Sequence, residues 1–302
     1  MAKTFNSIFR PDLFRDQVIF VTGGGTGIGR CTAHELASLG ATVVIGGRTA
    51  ESLERTAAEI TEAGGICTTT EIDIRNDELV DSAVAGVVER HGRLDGLFNN
   101  AGGQFFSPIE KLSANAWRTV IDLNLNGTFL VSTAAYRHWM KDHGGSIVCM
   151  LADIWTGYPG LAHMSAARAG IENMATSLTL EWAEHDVRIN SVAPGTILSS
   201  GMLTYPEAVQ KQTVASARTL PAGRFGTESE VSAAAVFLLS PGAAHIRGET
   251  IRIDGAESLQ KGRMWPITRP GGTKVYDGFP LRPNFSGTPF EELPQLKPQG
   301  SD

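Results

Sequence analysis

Thr22-Gly23-Gly24-Gly25-Thr26-Gly27-Ile28-Gly29 follows directly on the apolar run Val18-Ile19-Phe20-Val21 and leads into a stretch carrying Cys31, Ala33, Leu36, Ala37 and Leu39 at helical spacing. A buried strand that ends in closely spaced glycines and then opens a helix makes an anion cradle. Backbone N–H groups and the helix N-terminus converge there, and glycine lets the backbone approach a pyrophosphate. A dinucleotide is the expected ligand. An ordinary strand-to-helix turn would also explain a lone glycine pattern. Two further junctions of the same kind count against that alternative, Leu94-Asp95-Gly96-Leu97-Phe98-Asn99-Asn100-Ala101-Gly102 and Arg188-Ile189-Asn190-Ser191-Val192-Ala193-Pro194-Gly195-Thr196-Ile197.

Working outward, strand-like runs at Val18–Val21, Thr42–Ile45, Thr68–Asp73, Gly96–Asn99, Ser146–Met150, Arg188–Val192 and Thr250–Ile253 alternate with helical patterns. The helical stretches include Glu51–Glu62, Asp77–Arg90, Trp117–Lys141 and Ala166–Glu184. Such alternation requires crossovers, and so an α/β fold with a doubly wound parallel sheet covered on both faces. The 302 residues divide into an N-terminal extension (1–15), one dinucleotide-binding and catalytic domain (16–256) and a C-terminal tail (257–302). Residues 198–222 break the rhythm beyond the carboxyl end of a strand, where open α/β sheets bind ligands, and are expected to form a substrate lid. The tail is rich in proline (Pro266, Pro270, Pro280, Pro283, Pro289, Pro294, Pro298), which forbids a long helix. It also carries Trp265, Tyr276, Phe279, Phe285 and Phe290, too many aromatics for a solvated segment, so it is expected to pack on its own domain or on a neighbouring subunit.

A 42% hydrophobic and 19% charged composition is that of an ordinary soluble globular protein, and a net charge of -6 argues against nucleic acid as the main partner. Cys31, Cys67 and Cys149 are far apart and form no CxxC pair, so neither a metal site nor a disulfide framework is expected. No stretch approaches the length of an apolar membrane span, the N-terminus lacks a signal-peptide core, and the C-terminal Gly300-Ser301-Asp302 is not a peroxisomal address. A cytoplasmic protein is expected.

With these motifs in this order, the chain resembles the short-chain dehydrogenase/reductase family over roughly residues 16–256. The resemblance rests on the T-G-x-x-x-G-x-G turn, the N-N-A-G turn at Asn99–Gly102, Asn124 in Asp122-Leu123-Asn124-Leu125-Asn126-Gly127, the P-G turn at Pro194, and Ile253-Asp254-Gly255. It implies a cofactor site made of Gly23, Thr26, Gly27, Ile28 and Gly29, with Pro194, Gly195 and Ile197 opposite. Asp73 and Ile74 would line the adenine, and Asn100, Ala101 and Gly102 would pass along the ribose. The resemblance also implies a homo-oligomer, a tetramer or dimer, built through Trp117–Lys141 and Ala166–Glu184.

In the dinucleotide fold, a carboxylate after the second strand grips the ribose hydroxyls of NAD, whereas an arginine there accepts the 2′-phosphate of NADP. Here Thr42-Val43-Val44-Ile45 runs into Gly46-Gly47-Arg48-Thr49. Arg48 therefore points to NADP(H), the alternative being a solvated surface charge. Thr26 stands where many NADP-preferring relatives carry a second basic residue.

The catalytic signature departs from the family. Most members carry Ser, Tyr and Lys, with Tyr-x-x-x-Lys on one helix, where the lysine lowers the tyrosine pKa for proton exchange with a carbinol. The corresponding stretch here is Ala162-His163-Met164-Ser165-Ala166-Ala167-Arg168, with Met164 at the tyrosine position and Arg168 at the lysine position. The serine position offers Leu151 or Ala152, and of the usual four only Asn124 remains. Methionine cannot deliver a proton. Reduction of a carbon–carbon double bond conjugated to a thioester needs instead a hydride delivered to carbon and donors around the developing enolate oxygen.

The sequence around Asn100-Ala101-Gly102-Gly103-Gln104-Phe105-Phe106 and Ser165–Gly170 resembles the trans-2-enoyl-CoA and 2,4-dienoyl-CoA reductase branch. Asn124, Tyr158, His163 and Arg168 are the candidate catalytic residues, with an acyl-CoA substrate. Tyr158 corresponds loosely to a displaced tyrosine of the dienoyl-CoA enzymes, although the residue at the matching offset from Arg168 is Asp153. Two alternatives stand beside this reading. One is an alcohol or aldehyde dehydrogenase acting on a terpenoid or fatty alcohol such as citronellol, with Tyr158 as a relocated acid; the other is a homologue that binds NADPH without turnover.

Overall fold

The computed structural model describes residues 5–217, 219–259 and 272–296. The first half of the chain forms β1 (Val18–Thr22), α1 (Gly27–Ser38), β2 (Thr42–Gly47), α2 (Ala50–Glu62), β3 (Ile66–Glu71), α3 (Asp77–His91) and β4 (Gly96–Asn99). A long interrupted helix follows as α4 (Ala114–Ile121), α5 (Gly127–Ala135) and α6 (Lys141–His143), and then β5 (Gly145–Met150), α7 (Ala162–Glu181) and β6 (Val187–Pro194). The remainder contributes β7 (Ile197–Leu198), α8 (Glu207–Ala217), β8 (Gly226–Thr227), α9 (Glu228–Leu239) and β9 (Thr250–Ile253).

Seven of these strands pair in the order β3-β2-β1-β4-β5-β6-β9, all parallel, with Ile19 beside Val43 on one side and Gly96 on the other. All residues of β1, β4 and β6 are buried, as expected of parallel strands covered on both faces. On one face Val21, Val43, Ile45, Phe98 and Val148 meet Leu36 and Leu39 at α1, Ile60 of α2 and Val236 of α9. On the other, Phe20, Val44, Leu97, Ile147 and Ile189 meet Val84 of α3, Val131 of α5 and Ile171 of α7. Strand order reverses between β1 and β4, so the crevice for a ligand opens at their carboxyl ends.

Several boundaries differ from the sequence expectation. The expected strand Thr68–Asp73 runs instead over Ile66–Glu71. It is an edge strand whose Ile66 is exposed and whose threonines are half-buried, so the apolar signal that would locate it is weak. The expected helix Trp117–Lys141 starts earlier, because Ser113 Oγ accepts from the Ala116 N–H at 3.1 Å and caps it. It is also widened by π-helical turns at Asp122–Asn126 and Tyr136–Met140. α7 begins at Ala162 rather than Ala166, which places His163 and Met164 on its first turn.

The segment beyond β6 folds into β7, a short helical turn over Ser200–Thr204, and α8. Leu198, Met202, Leu220 and Phe225 form a satellite core with Phe285, Phe290 and Leu293 of the tail. Phe279 and Leu281 pack on Cys31 of α1, and Phe5 stacks on Phe279 at 5.5 Å. Buried Glu35 of α1 accepts hydrogen bonds from Ser7, Ser232 and Tyr276, tying α9 and both outer segments to one helix. Trp265, Pro266, Pro270 and Pro298 lie outside the described residues. Among the described residues, no helix is long and apolar enough to cross a membrane.

Candidate active site

The glycine turn is locked from the β4 side. Thr22 Oγ1 accepts from the backbone N–H of Asn100 (3.1 Å) and Ala101 (3.0 Å), while Asn100 Nδ2 donates to the carbonyls of Thr22 (3.0 Å) and Gly23 (3.3 Å). A Cβ at Gly23, where φ is +67°, would lie 2.9 Å from Asn100 Nδ2 and 3.1 Å from Ala101 Cα. One at Gly29 would meet the Gly23 backbone. These glycines let two backbone segments touch. Asn100, expected along the ribose, uses its amide to brace the turn.

Next to this turn lies a cavity of about 240 Å³ lined by Gly23, Gly25, Thr26, Arg48, Thr49, Asp73, Ile74, Ala101 and Gly102. Seven of the expected cofactor residues thus face one space. Gly27, Ile28 and Gly29 continue the turn into α1, and Pro194, Gly195 and Ile197 stand at the carboxyl end of β6 and in β7. The cavity's glycine lining, helix N-terminus and strand-order reversal fit a dinucleotide. Arg48 is exposed at its rim. Asp73 is held low, to about 2, chiefly by its hydrogen bonds from Arg75 and in smaller part by Arg48.

The other end of the crevice is built from side chains. Arg168 is buried, donates to the Met150 carbonyl, and lies against Gly102. Burial lowers its pKa to about 10, so it remains a cation at neutral pH. Asn124 sits in the π-helical turn, fully buried. Its Nδ2 donates to the carbonyls of Gly103 and Val120, each at 2.8 Å, and its Oδ1 accepts from the Gly103 N–H at 3.3 Å. Expected as an enolate donor, Asn124 has both amide protons already engaged, and instead ties the loop after β4 to the helix.

Met164 lies in a small apolar cluster with Val120 and Leu161, against which Tyr158 packs. The Tyr158 phenol is pushed up to about 12, first by burial and then by Glu257, Tyr205 and Asp153, so it keeps its proton. His163 is fully buried, neither ring nitrogen has a hydrogen-bond partner, and its ring meets Phe105 edge-on at 4.9 Å. Burial lowers its pKa, which keeps it neutral.

The residue without an assigned role from the sequence is Asp153, at the carboxyl end of β5. Its N–H donates to the Pro194 carbonyl (3.1 Å), and its buried Oδ1 has no partner. Burial, followed by the nearby Asp254, raises its pKa, against weaker opposing effects of the Trp155 N–H and Arg252. Glu257 completes the acidic wall. It accepts from Thr196 N at 2.9 Å and Thr196 Oγ1 at 3.1 Å, and burial raises its pKa as well. The signal for Asp153 was its offset from Arg168; what the sequence does not display is the like charge of Asp254 acting on it, about a hundred residues away.

A family model described as Enoyl-(Acyl carrier protein) reductase matches residues 23–256. The chain belongs to the short-chain dehydrogenase/reductase family, and it is an oxidoreductase using a nicotinamide cofactor. It is 37% identical over 246 residues, 80% of this chain and 97% of the relative, to a protein of Bacillus subtilis described as a probable 2,4-dienoyl-CoA reductase [(2E)-enoyl-CoA-producing]. A peroxisomal 2,4-dienoyl-CoA reductase of Danio rerio is 36% identical, covering 84% of this chain and 86% of that protein. Among solved structures, a citronellol catabolism dehydrogenase of Pseudomonas aeruginosa PAO1 superposes with a TM-score of 0.75 at 50% identity, over 84% of this chain and all of the other.

Proposed function

We propose that the protein is an NADPH-dependent reductase of an α,β-unsaturated acyl-CoA thioester, of the 2-enoyl or 2,4-dienoyl class. The observation that carries this reading is the replacement of the carbinol-protonating tyrosine by Met164 in an apolar cluster, together with an Asp153 whose buried oxygen has no partner. The names of the relatives from Bacillus subtilis and Danio rerio support the same class. Arg48 at the cavity rim supports NADPH over NADH, through a charge-assisted contact to the 2′-phosphate.

When bound, the cofactor supplies a hydride to carbon. Gly23 and Gly25 line the cavity that would hold it, and Arg168 would hold the nicotinamide end with a buried positive charge. Tyr158, still protonated, donates a hydrogen bond to the thioester oxygen as enolate character develops. Asp153, whose carboxyl holds its proton to higher pH than an exposed aspartate, delivers that proton to the carbon skeleton. His163 and Phe105 wall the acyl site and exclude water. Exposed Phe129 of α5 and Leu180 of α7 support a homo-oligomer through these helices, tested by size-exclusion chromatography with light scattering.

A second reading rests on the 50% identity to the citronellol catabolism dehydrogenase, namely oxidation of a terpenoid alcohol with Tyr158 as the acid–base group. One panel separates the two: NADPH oxidation with crotonyl-, hexenoyl-, decenoyl- and dienoyl-CoA, against NADP+ reduction with citronellol and decanol. Turnover of the thioesters is expected. Turnover of the alcohols alone would overturn the reductase reading, and cofactor binding without turnover of any substrate would leave a non-catalytic homologue.

A further inference from the structure

Glu228 opens α9, and its carboxyl is buried against the glycine turn. A Cβ placed on Gly27 would be 3.8 Å from Glu228 Oε1 and 3.9 Å from Ser200 Oγ. Oε1 has no hydrogen-bond partner, whereas the Ser200 N–H does reach the carboxyl. The charged groups that face it come from two elements. Arg30 of α1 is held by Glu59 at 2.7 Å and by the Leu281 carbonyl at 3.0 Å, and Arg282 of the tail is held by Asp277. Among the described residues neither arginine forms an ion pair with Glu228, and Asp277 and the buried Cys31 thiol give it no positive charge.

An acid is thus stationed, buried and unneutralised, at the turn whose N–H groups receive an anion. A carboxylate there and a pyrophosphate are mutually repulsive in a medium that screens poorly, whereas a protonated carboxyl is neutral and offers a hydrogen-bond donor. We propose that Glu228 makes dinucleotide binding proton-linked: with its proton on, the acid admits the pyrophosphate to the Gly27 turn, and once ionised it opposes it. This rests on the reading that the glycine turn seats a nicotinamide dinucleotide. Burial, outweighing Arg30 and Arg282, sets Glu228 to titrate at about 7, so the linkage falls in the neutral range. The same acid gives the site a reason to bind its cofactor with uptake of a proton.

The test is the dissociation constant of NADPH and of NADH, read by binding-induced fluorescence change from pH 6 to 9, for the unmodified protein and for Glu228→Gln. NADH is included because it lacks the titrating 2′-phosphate. For the unmodified protein, binding is expected to weaken by up to about tenfold per pH unit above the midpoint. Glu228→Gln should bind both cofactors with little pH dependence, and more tightly than the unmodified protein at pH 8.5. Independently of any variant, calorimetry of the unmodified protein at pH 7.5 in two buffers of different ionisation enthalpy should register proton uptake on NADH binding. Superimposable pH profiles for the two proteins, or NADH binding without proton uptake, would overturn the role of Glu228 while leaving the cofactor site in place. A folded protein, by circular dichroism, that binds neither cofactor at any pH would overturn the seating of the dinucleotide itself, and the proposal with it.

Discussion

At the glycine turn, Gly23 and Gly29 are required because one backbone segment lies where a side chain would otherwise project. At the Arg168 end, the outcome depends on which side chains surround a buried cation and a buried acid. The first arrangement tolerates almost no change and recognises what all dinucleotides share. The second has exchanged tyrosine for Met164 and lysine for Arg168 while the fold around it stands. A backbone-made site fixes the cofactor class, and a side-chain-made site is where reaction type diverges.

Variants at the two ends test that division. The largest loss is expected for Asp153→Asn, which keeps the shape but removes the acid. Enoyl-CoA turnover should fall by about 10³-fold with NADPH affinity nearly unchanged. The raised pKa also fixes a sign: reduction requires the protonated acid, so kcat should decline as pH rises through the Asp153 titration, and that decline should vanish in the residual activity of the variant. Equal kcat and an unaltered pH profile in Asp153→Asn would remove Asp153 from the chemistry.

Tyr158→Phe comes next, with a loss on the order of 10²-fold in kcat measured by NADPH oxidation, because one hydrogen-bond donor to a developing oxyanion is deleted. At the cofactor end, Arg48→Asp is expected to reverse the preference between NADPH and NADH, changing the ratio of their KM values by about tenfold or more. Comparable KM values for both cofactors in the unmodified protein would show Arg48 to be a solvated charge. The smallest effect is expected for Met164→Tyr. Restoring the phenol should not raise enoyl-CoA turnover, since no alkoxide forms for it to protonate; a gain of tenfold would return the site to alcohol–ketone chemistry.

The same contrast governs how much could be read in advance. The glycine turn, β4 and β9 were legible because they depend on local backbone demands and on short β-prone runs bounded by turn residues, and the observed β4 and β9 spans match their expected limits. Local pattern did not disclose what the amides of Asn100 and Asn124 do. Each looked like a ligand-facing polar residue, yet each bonds backbone carbonyls brought to it by another element. Glu228 went unnoticed, and Asp153 was marked only by its offset from Arg168, for a related reason. An acid's titration is set by what is buried around it, and for these two that means Asp254, Arg30 and Arg282, all remote in sequence.

The attachment of residues 276–281 to α1 has a bearing on how the chain assembles. Arg30 meets the Leu281 carbonyl across 251 residues of sequence, and Cys31 meets that of Phe279 across 248. Contacts of such span form late, after shorter loops have closed, and during synthesis they must wait until that part of the chain has left the ribosome. The seven-stranded sheet needs nothing beyond β9 and can be in place first. The outer face of the cofactor helix, with its buried Glu35 and Cys31, is then sealed by a strap laid over a nearly finished enzyme, so a released chain shortened to end near residue 260 would display the sheet with that face still open to chaperones.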